Sequence, residues 1–233
     1  MKHKLVIFDL DGTLLDTLDD LSAAVNHAMQ QRGFLQHTRD EYMKMVGHGA
    51  RNLMRQALPD GHKDDKMVEA TYNDFRAYYT DHIDVHTKPF PGTQDLLAKL
   101  HQNSVQLAVA SNKFQEGTEL LIKEFFPEIP FVAVLGNRPN FPLKPDPEIV
   151  GEILRKSSVK REEAVMIGDS DTDMQTAANG GIEGIAVSWG YRDMKDFANK
   201  LSALRPFDKL RAQGPYNLTV VDTAEELQNI LLP

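Results

Sequence analysis

The chain has 233 residues, contains no cysteine and carries a formal net charge of −8 at pH 7. This length suits one large domain, or a main domain with an inserted one. The lack of cysteine excludes disulfides and thiolate metal sites. An acidic chain is a poor candidate for binding nucleic acid or a membrane surface, and no apolar stretch approaches the roughly 18 residues of a membrane span. We therefore expect a cytoplasmic protein without nucleic-acid or membrane partners.

Short apolar runs alternate with helix-like segments over most of the chain. This alternation predicts parallel strands joined by right-handed helical crossovers. We expect an α/β fold with an open, mostly parallel Rossmann-like sheet and helices on both faces. The predicted strands are 5–8, 105–110, 131–135, 164–168, 184–188 and 218–221, and the predicted helices are 92–102, 114–125, 146–156, 171–179 and 223–231.

One stretch, from about residue 17 to 85, interrupts the alternation because it contains no convincing strand. Its apolar residues keep helical spacing, for example Leu18, Leu21 and Val25. We predict an inserted α-helical cap domain over 16–87. The core domain would then comprise residues 1–15 and 88–233.

The most informative motif follows the first predicted strand. Asp9 and Asp11 lie two residues apart, followed by Gly12 and Thr13. At strand spacing the two acids point the same way, so their charges repel unless a cation joins them or one stays protonated. A nucleophilic carboxylate beside a proton donor, with a divalent metal, suits attack on a phosphoryl group.

Other chemistry-bearing residues follow later strands. Ser111 and Asn112 follow the run at 105–110, and Asp169 follows the run at 164–168. In an open parallel sheet the loops at the carboxyl ends of strands form the ligand crevice. Acids there can bind Mg²⁺ through oxygen, and Lys, Ser and Asn can hold phosphate oxygens. The candidate residues at these positions are Asp9, Asp11, Ser111, Asn112, Lys144, Asp169 and Asp173.

Each piece also has an ordinary structural interpretation. Asp-x-Asp-Gly is commonly a turn or part of a calcium loop, Ser-Asn is a common helix N-cap, and Lys144-Pro145 suits a surface loop. Gly168-Asp169 with Asp173 could be a turn before a capped helix. The occurrence of all four beside predicted strand ends, in this order, favours a functional site.

With these motifs the chain resembles the haloacid dehalogenase-like hydrolases. That family carries Asp-x-Asp-Gly-Thr, a Ser or Thr after the second strand, a Lys before a helix, and Gly-Asp-x-x-x-Asp. Within it, the chain is most similar to the phosphoglycolate phosphatase-like group. The supporting residues are Asp16-Thr17, the run Val46-Gly47-His48-Gly49, and Pro89-Phe90-Pro91-Gly92.

The resemblance implies a magnesium-dependent phosphomonoester hydrolase that works through an aspartyl-phosphate. Asp9 would be the nucleophile, and Asp11 the general acid and base. Mg²⁺ would be bound by Asp9, the main-chain carbonyl of Asp11 and Asp169. The resemblance further implies that Asp173 is an additional ligand or a support for the ligands, and that Ser111, Asn112 and Lys144 hold the transferring oxygens. Of the two orienting residues, Gly12 would let the chain turn beside the phosphate, and Thr13 would orient Asp11.

The predicted cap supplies candidates for contact with the rest of the substrate. These are Gly47, His48 and Gly49, together with Arg51, which we expect to pair with a substrate carboxylate. By resemblance, the partner is a small phosphorylated metabolite, with 2-phosphoglycolate as the candidate. We expect a monomer or homodimer.

Two other kinds of function stay open at this point. A sugar-phosphate mutase of the same superfamily would use the same phospho-aspartate, although the mutases tend to have Val where this chain has Thr13. A non-catalytic domain, either a phosphate-accepting receiver or a retired enzyme, is the second. Receivers are about half as long and have no cap, and the intact acids argue against a retired enzyme.

Overall fold

The structure is a computed structural model, and it describes residues 2–203 and 218–232. No helix in that part of the chain is long and apolar enough to cross a membrane. In chain order the elements are β1 (Leu5–Phe8), β2 (Leu15–Asp16), α1 (Leu18–Gln31), α2 (Arg39–Met45), α3 (Ala50–Ala57), α4 (Asp65–Asp81), β3 (Lys88–Pro89), α5 (Thr93–Gln102), β4 (Gln106–Phe114), α6 (Gln115–Phe125), β5 (Ala133–Asn137), α7 (Glu148–Ser157), β6 (Ala164–Gly168), α8 (Asp171–Gly180), β7 (Glu183–Val187), α9 (Met194–Ala203), β8 (Thr219–Val221) and α10 (Ala224–Leu231).

The main sheet has the strand order β5-β4-β1-β6-β7-β8 within the described residues, and every neighbouring pair is parallel. This confirms the predicted α/β fold. The chain leaves β1 for β4 and β5 on one side, then crosses back to β6 on the other. The carboxyl ends of β4, β1 and β6 therefore meet where the direction of winding reverses, which is the usual ligand position in such sheets.

Residues of β1 alternate between the two faces of the sheet. Val6 and Phe8 belong to one apolar cluster, which includes residues of α5 and α6. Leu5 and Ile7 belong to a second cluster, which includes residues of α7. All of them are buried, and burying such a side chain typically contributes about 1.5–3 kcal/mol. This double burial explains why the run reads as continuously apolar, and it fixes the position of the acids that follow.

The helical segment between β2 and β3 comprises α1 to α4, and α1 packs against α4. The predicted apolar stripe of α1 is buried, as are Tyr72, Phe75 and Tyr79 of α4. α4 begins where the side chain of Asp64 accepts the Met67 N–H at 3.0 Å, a standard N-cap. The helical character predicted for this stretch is confirmed.

A two-stranded antiparallel ladder joins the helical segment to the main sheet, with Leu15 opposite Pro89 and Asp16 opposite Lys88. Sequence periodicity could not reveal strands of two residues. Beside the ladder, the buried Asp20 of α1 accepts hydrogen bonds from the N–H groups of His86 and Thr87 and from the Thr87 hydroxyl, at 2.8–3.0 Å. The outgoing and returning chains are thereby held together.

Asp20→Asn should lower the free energy of unfolding by roughly 2–3 kcal/mol, because an amide group replaces a charged acceptor facing several buried donors. Urea denaturation would measure the change. Asp19→Asn is the matched control, since Asp19 is half exposed and pairs with Arg39 at the surface. That variant should lose no more than about 1 kcal/mol. Equal losses in the two variants would contradict the structural role of Asp20.

Candidate active site

Three carboxylates converge at the carboxyl edge of the main sheet. Asp9 directly follows β1, Asp169 directly follows β6, and Asp173 lies in the first turn of α8. All three are buried, and one ligand oxygen from each lies within 4.8 Å of the others. The sequence predicted this convergence from the strand ends alone.

Electrostatics at this cluster favour the arrival of positive charge. Burial, and then the charge of Asp173, raise the pKa of Asp9 well above its ordinary value. The same two causes raise the pKa of Asp169 to about 7. Carboxylates so disfavoured as anions are stabilised by a divalent cation, and an all-oxygen set suits Mg²⁺. The residues present therefore fit a magnesium site.

Lys144 is the only described lysine whose ammonium group hydrogen-bonds to this cluster. It comes from the loop between β5 and α7, and its buried Nζ donates to Asp9 Oδ1 at 2.8 Å and to Asp173 Oδ1 at 2.6 Å. A third hydrogen bond goes to the carbonyl of Ala110 at 2.8 Å. Burial alone would lower the pKa of Lys144, but the carboxylates of Asp173 and Asp9 outweigh it and raise the pKa above its ordinary value.

Both oxygens of Asp173 are engaged within the protein. Oδ1 accepts from Lys144, and Oδ2 accepts from the N–H and the hydroxyl of Ser170, at 3.1 Å and 2.5 Å. The Ser170 hydroxyl in turn accepts the Asp173 N–H, so the pair forms a capping box at the start of α8. This arrangement makes Asp173 chiefly a support for Lys144.

Asn112 fixes the Lys144 loop from the neighbouring strand. Its Oδ1 accepts the Lys144 N–H at 2.9 Å, and its Nδ2 donates to the carbonyls of Lys144 and Gly47 at 3.2 Å and 3.0 Å. Both amide N–H groups are thus used inside the protein, whereas we expected them to hold phosphate. Ser111, next to it, accepts the Lys113 N–H at 3.2 Å, which leaves its own hydroxyl proton to donate.

Asp11 lies apart from the three-acid cluster. Its Oδ1 accepts from the Thr17 hydroxyl at 2.7 Å and from Lys113 Nζ at 2.8 Å. Sequence reasoning missed both partners. Thr13, which was expected to orient Asp11, instead donates to Asp169 Oδ1 over a long 3.4 Å.

Gly12 allows the chain to turn against Asp169. Its φ is +89°, and a Cβ there would lie 2.4 Å from Asp169 Oδ2. Glycine is the residue that adopts this backbone without cost and leaves room for the acid. The orienting role expected of Gly12 and Thr13 is therefore directed at Asp169.

A loop after β7 also holds Asp169, and its function was not predicted. The Tyr191 N–H donates to Asp169 Oδ2 at 2.7 Å, and Trp189 Nε1 donates to the Thr13 carbonyl at 3.0 Å. Between them, Gly190 has no room for a side chain, since a Cβ would lie 2.2 Å from that of Asp169. The Trp-Gly-Tyr run was the available signal, but nothing in it specifies these partners.

The predicted cap residues divide into two groups. Gly47 and Gly49 line the cavity above the acids, and the exposed His48 approaches the Thr172 hydroxyl at 3.3 Å on the core.

Arg51 does not reach the cavity. It makes two hydrogen bonds to Glu69 of α4, at 2.7 Å and 2.8 Å, and its guanidinium stacks on the ring of Tyr72 in that helix. The geometry gives no support to its expected pairing with a substrate carboxylate.

A cavity lies between the cap helices and the sheet, and its empty space, open solvent included, is about 700 Å³. Its floor carries the acids and Lys144, and its roof is largely apolar, with Leu21, Val46, Leu53 and Phe75.

Arg192 fastens the cap loop over this cavity. Its guanidinium donates to the carbonyls of Met43, Lys44 and Val46, at the end of α2. These carbonyls belong to the group that a helix leaves without internal partners. With the Asn112–Gly47 bond, Arg192 holds the cap against the core.

Comparison with known proteins identifies the family. A model of the haloacid dehalogenase-like hydrolases matches residues 6–187. The chain belongs to this family. Relatives named phosphoglycolate phosphatase include one from Mesorhizobium japonicum, 29% identical over 97% of both chains, and one from Pseudomonas fluorescens, 31% identical over 91% of this chain and 79% of that protein. These relatives place it in the phosphoglycolate phosphatase-like group.

Solved structures agree with this assignment. A protein assigned as a phosphoglycolate phosphatase from Lactobacillus delbrueckii subsp. bulgaricus superposes with a TM-score of 0.85 and 33% identity, covering 100% of this chain and 99% of that one. CbbY from Rhodobacter sphaeroides, solved in complex with phosphate, gives a TM-score of 0.71 at 22% identity, covering 97% and 96%. At that identity the likeness to CbbY concerns the fold alone.

Arg192→Met should speed amide hydrogen exchange in residues 43–49, because the carbonyls at the end of α2 lose their donor while the core is untouched. Exchange measured by mass spectrometry would detect the change. Arg55→Met, which removes an exposed ion pair with Asp65 on the same helical segment, is the control and should leave the protection of 43–49 intact. Unchanged protection in Arg192→Met would show that Arg192 does not fasten the loop.

Proposed function

We propose that this protein is a magnesium-dependent phosphomonoester hydrolase that acts through an aspartyl-phosphate on a small phosphorylated metabolite, with 2-phosphoglycolate as the candidate. The observation that carries the proposal is the buried cluster of Asp9, Asp169 and Asp173 bonded to Lys144 at the floor of the cavity. The names of the relatives support the choice of substrate.

In this proposal Asp9, the main-chain carbonyl of Asp11 and Asp169 bind Mg²⁺, with Asp173 beside them. The cation would neutralise charge on the transferring phosphoryl group. Lys144 and Ser111 would hold its oxygens, and Asn112 would keep the Lys144 loop in position. These donors are already placed by the protein, so little reorganisation accompanies the reaction.

The reaction has two steps. A carboxylate oxygen of Asp9 attacks phosphorus, the bond to the ester oxygen breaks, and Asp11 gives its proton to the departing alkoxide. Asp11 then takes a proton from a water molecule as that water attacks phosphorus, which releases phosphate and restores Asp9. General acid–base assistance of this kind is typically worth about 10²–10⁴ in rate. The closed cap would exclude water during the first step.

The remaining expectations stay proposals. Residues 16–87 would form the cap domain, and residues 1–15 and 88–233 the core, of which residues 1, 204–217 and 233 lie outside the described part of the chain. Gly47, His48 and Gly49 would form the loop that meets the end of the substrate away from the phosphate. The protein would act as a monomer or homodimer in the cytoplasm.

Asp9→Asn should abolish turnover while the protein still folds, because an amide is a very poor nucleophile and the substitution removes a buried charge. Phosphate release from p-nitrophenyl phosphate with Mg²⁺ would be measured, beside thermal unfolding. Asp19→Asn on the surface is the control and should retain activity. Activity of Asp9→Asn above a few per cent of wild type would refute Asp9 as nucleophile. A phosphatase releases free phosphate without a bisphosphate cofactor, which separates it from a mutase.

Mg²⁺ should raise the unfolding temperature more at about pH 8 than at about pH 5.5, because it must displace a proton at the lower pH. The pKa of Asp169 is raised to about 7 by burial and by Asp173. Without metal, the proton on Asp169 therefore stabilises the folded protein. This contribution to the free energy of unfolding is fully present below the ordinary aspartate pKa of about 4, and it is lost as the pH rises through about 7.

Thermal unfolding in Mg²⁺ and in EDTA, compared at each pH, cancels the pH response of other groups. Asp169→Asn should lose most of the Mg²⁺-induced shift. A shift of equal size at both pH values, or one that survives in Asp169→Asn, would argue against a metal site at this cluster.

A further inference from the structure

We propose that Lys113 binds a carboxylate of the substrate and thereby selects phosphate esters of 2-hydroxy acids. This inference rests on the proposed function and assigns the recognition of the substrate's second anionic group. Lys113 lines the cavity, and its side chain is 3% exposed.

Lys113 reaches the cavity through an irregularity in β4. Pairing with β5 runs in register from Ala108 to Ala110 and resumes only at Phe114, opposite Asn137. Three residues of β4, 111 to 113, therefore lie opposite a single residue of β5, residue 136. Bulges of this kind redirect side chains and are common beside active sites. Here the displaced residues are Ser111, Asn112 and Lys113, all of which contact the site.

Of the two described lysines that line the cavity, Lys113 alone has hydrogen-bonding capacity left over. Lys144 donates to three acceptors in the protein, and Arg192 donates to three cap carbonyls. Lys113 Nζ makes one hydrogen bond, to Asp11, and lies 4.8 Å from the centre of the Tyr79 ring. A buried ammonium with N–H groups unused gains much from a further anionic acceptor.

The position of Lys113 defines where the substrate's carboxylate must lie. A general acid works within about 2.6–3.2 Å of the leaving oxygen. One oxygen of the Asp11 carboxyl group would face the leaving oxygen. Lys113 Nζ lies 2.8 Å from the other one, Oδ1. The ammonium is thus close to the carbon that bears the ester oxygen, so a carboxylate attached to that carbon reaches it. A neutral alkyl group at this place would leave the ammonium without its second partner.

The test compares 2-phosphoglycolate with ethyl phosphate, which has the same chain length without the carboxylate. In Lys113→Met the ratio of kcat/KM for phosphoglycolate to that for ethyl phosphate should fall roughly tenfold to a hundredfold, mainly through KM. An equal fall for both substrates would overturn the inference, because Lys113 would then act only through Asp11. Arg51→Met should keep the wild-type ratio. Loss of discrimination in Arg51→Met instead would also overturn it.

A measurement on the wild-type protein guards against a Lys113 variant that fails to fold. The wild type should prefer 2-phosphoglycolate at least about tenfold over the phosphate ester of 3-hydroxypropanoic acid, whose carboxylate lies one carbon further away. A lack of preference would overturn the role of Lys113. Failure of the proposed function looks different: the wild type would then release no phosphate from any of these esters, or from p-nitrophenyl phosphate, with Mg²⁺ present.

Discussion

The ion pairs of Lys144 with Asp9 and Asp173 are the interaction on which the rest of the site depends. Three acids are buried with one oxygen of each within 4.8 Å of the others, and a single ammonium compensates only part of their charge. Removing Lys144 would leave the buried carboxylates uncompensated, and the loss of a buried pair in this way typically costs about 3–5 kcal/mol. The remaining negative charge is what a divalent cation would neutralise. The site therefore has room for a positive charge that the protein itself does not supply.

The sheet explains why these groups can meet at all. Because β4, β1 and β6 are parallel neighbours, residues far apart in sequence leave the sheet at the same edge. β1 is buried on both faces and flanked by Lys4 and Asp9, so a shift in register would draw a charged side chain into the apolar interior, and the position of Asp9 is fixed. Two loops of the site, one carrying Lys144 and the other carrying Tyr191, are tied to this edge by hydrogen bonds.

The sequence located residues whose position follows from a repeating pattern of apolar residues. It did not identify the hydrogen-bond partners of individual side chains. The acids after β1 and β6 were found because each follows an apolar run. The end of β4 was placed too early, at residue 110, because Ser-Asn-Lys reads as polar loop although the strand continues to Phe114. α9 was not predicted either, because its sequence contains no run of apolar residues. Arg51 was misplaced because its partner, Glu69, is on another helix and only the packing of α3 on α4 reveals it.

Two chains of hydrogen bonds connect the charged groups of the site to the cap. Asn112 bonds the backbone of Lys144 and the carbonyl of Gly47 with one amide group. On the other side, Tyr191 bonds Asp169, and the next residue, Arg192, bonds the end of α2. A displacement of Lys144 or of Asp169 would therefore be transmitted to the loop that roofs the cavity. Closure of the cap would then be coupled to assembly of the charges, as the proposed reaction requires, because its intermediate must be shielded from water until the leaving group has gone.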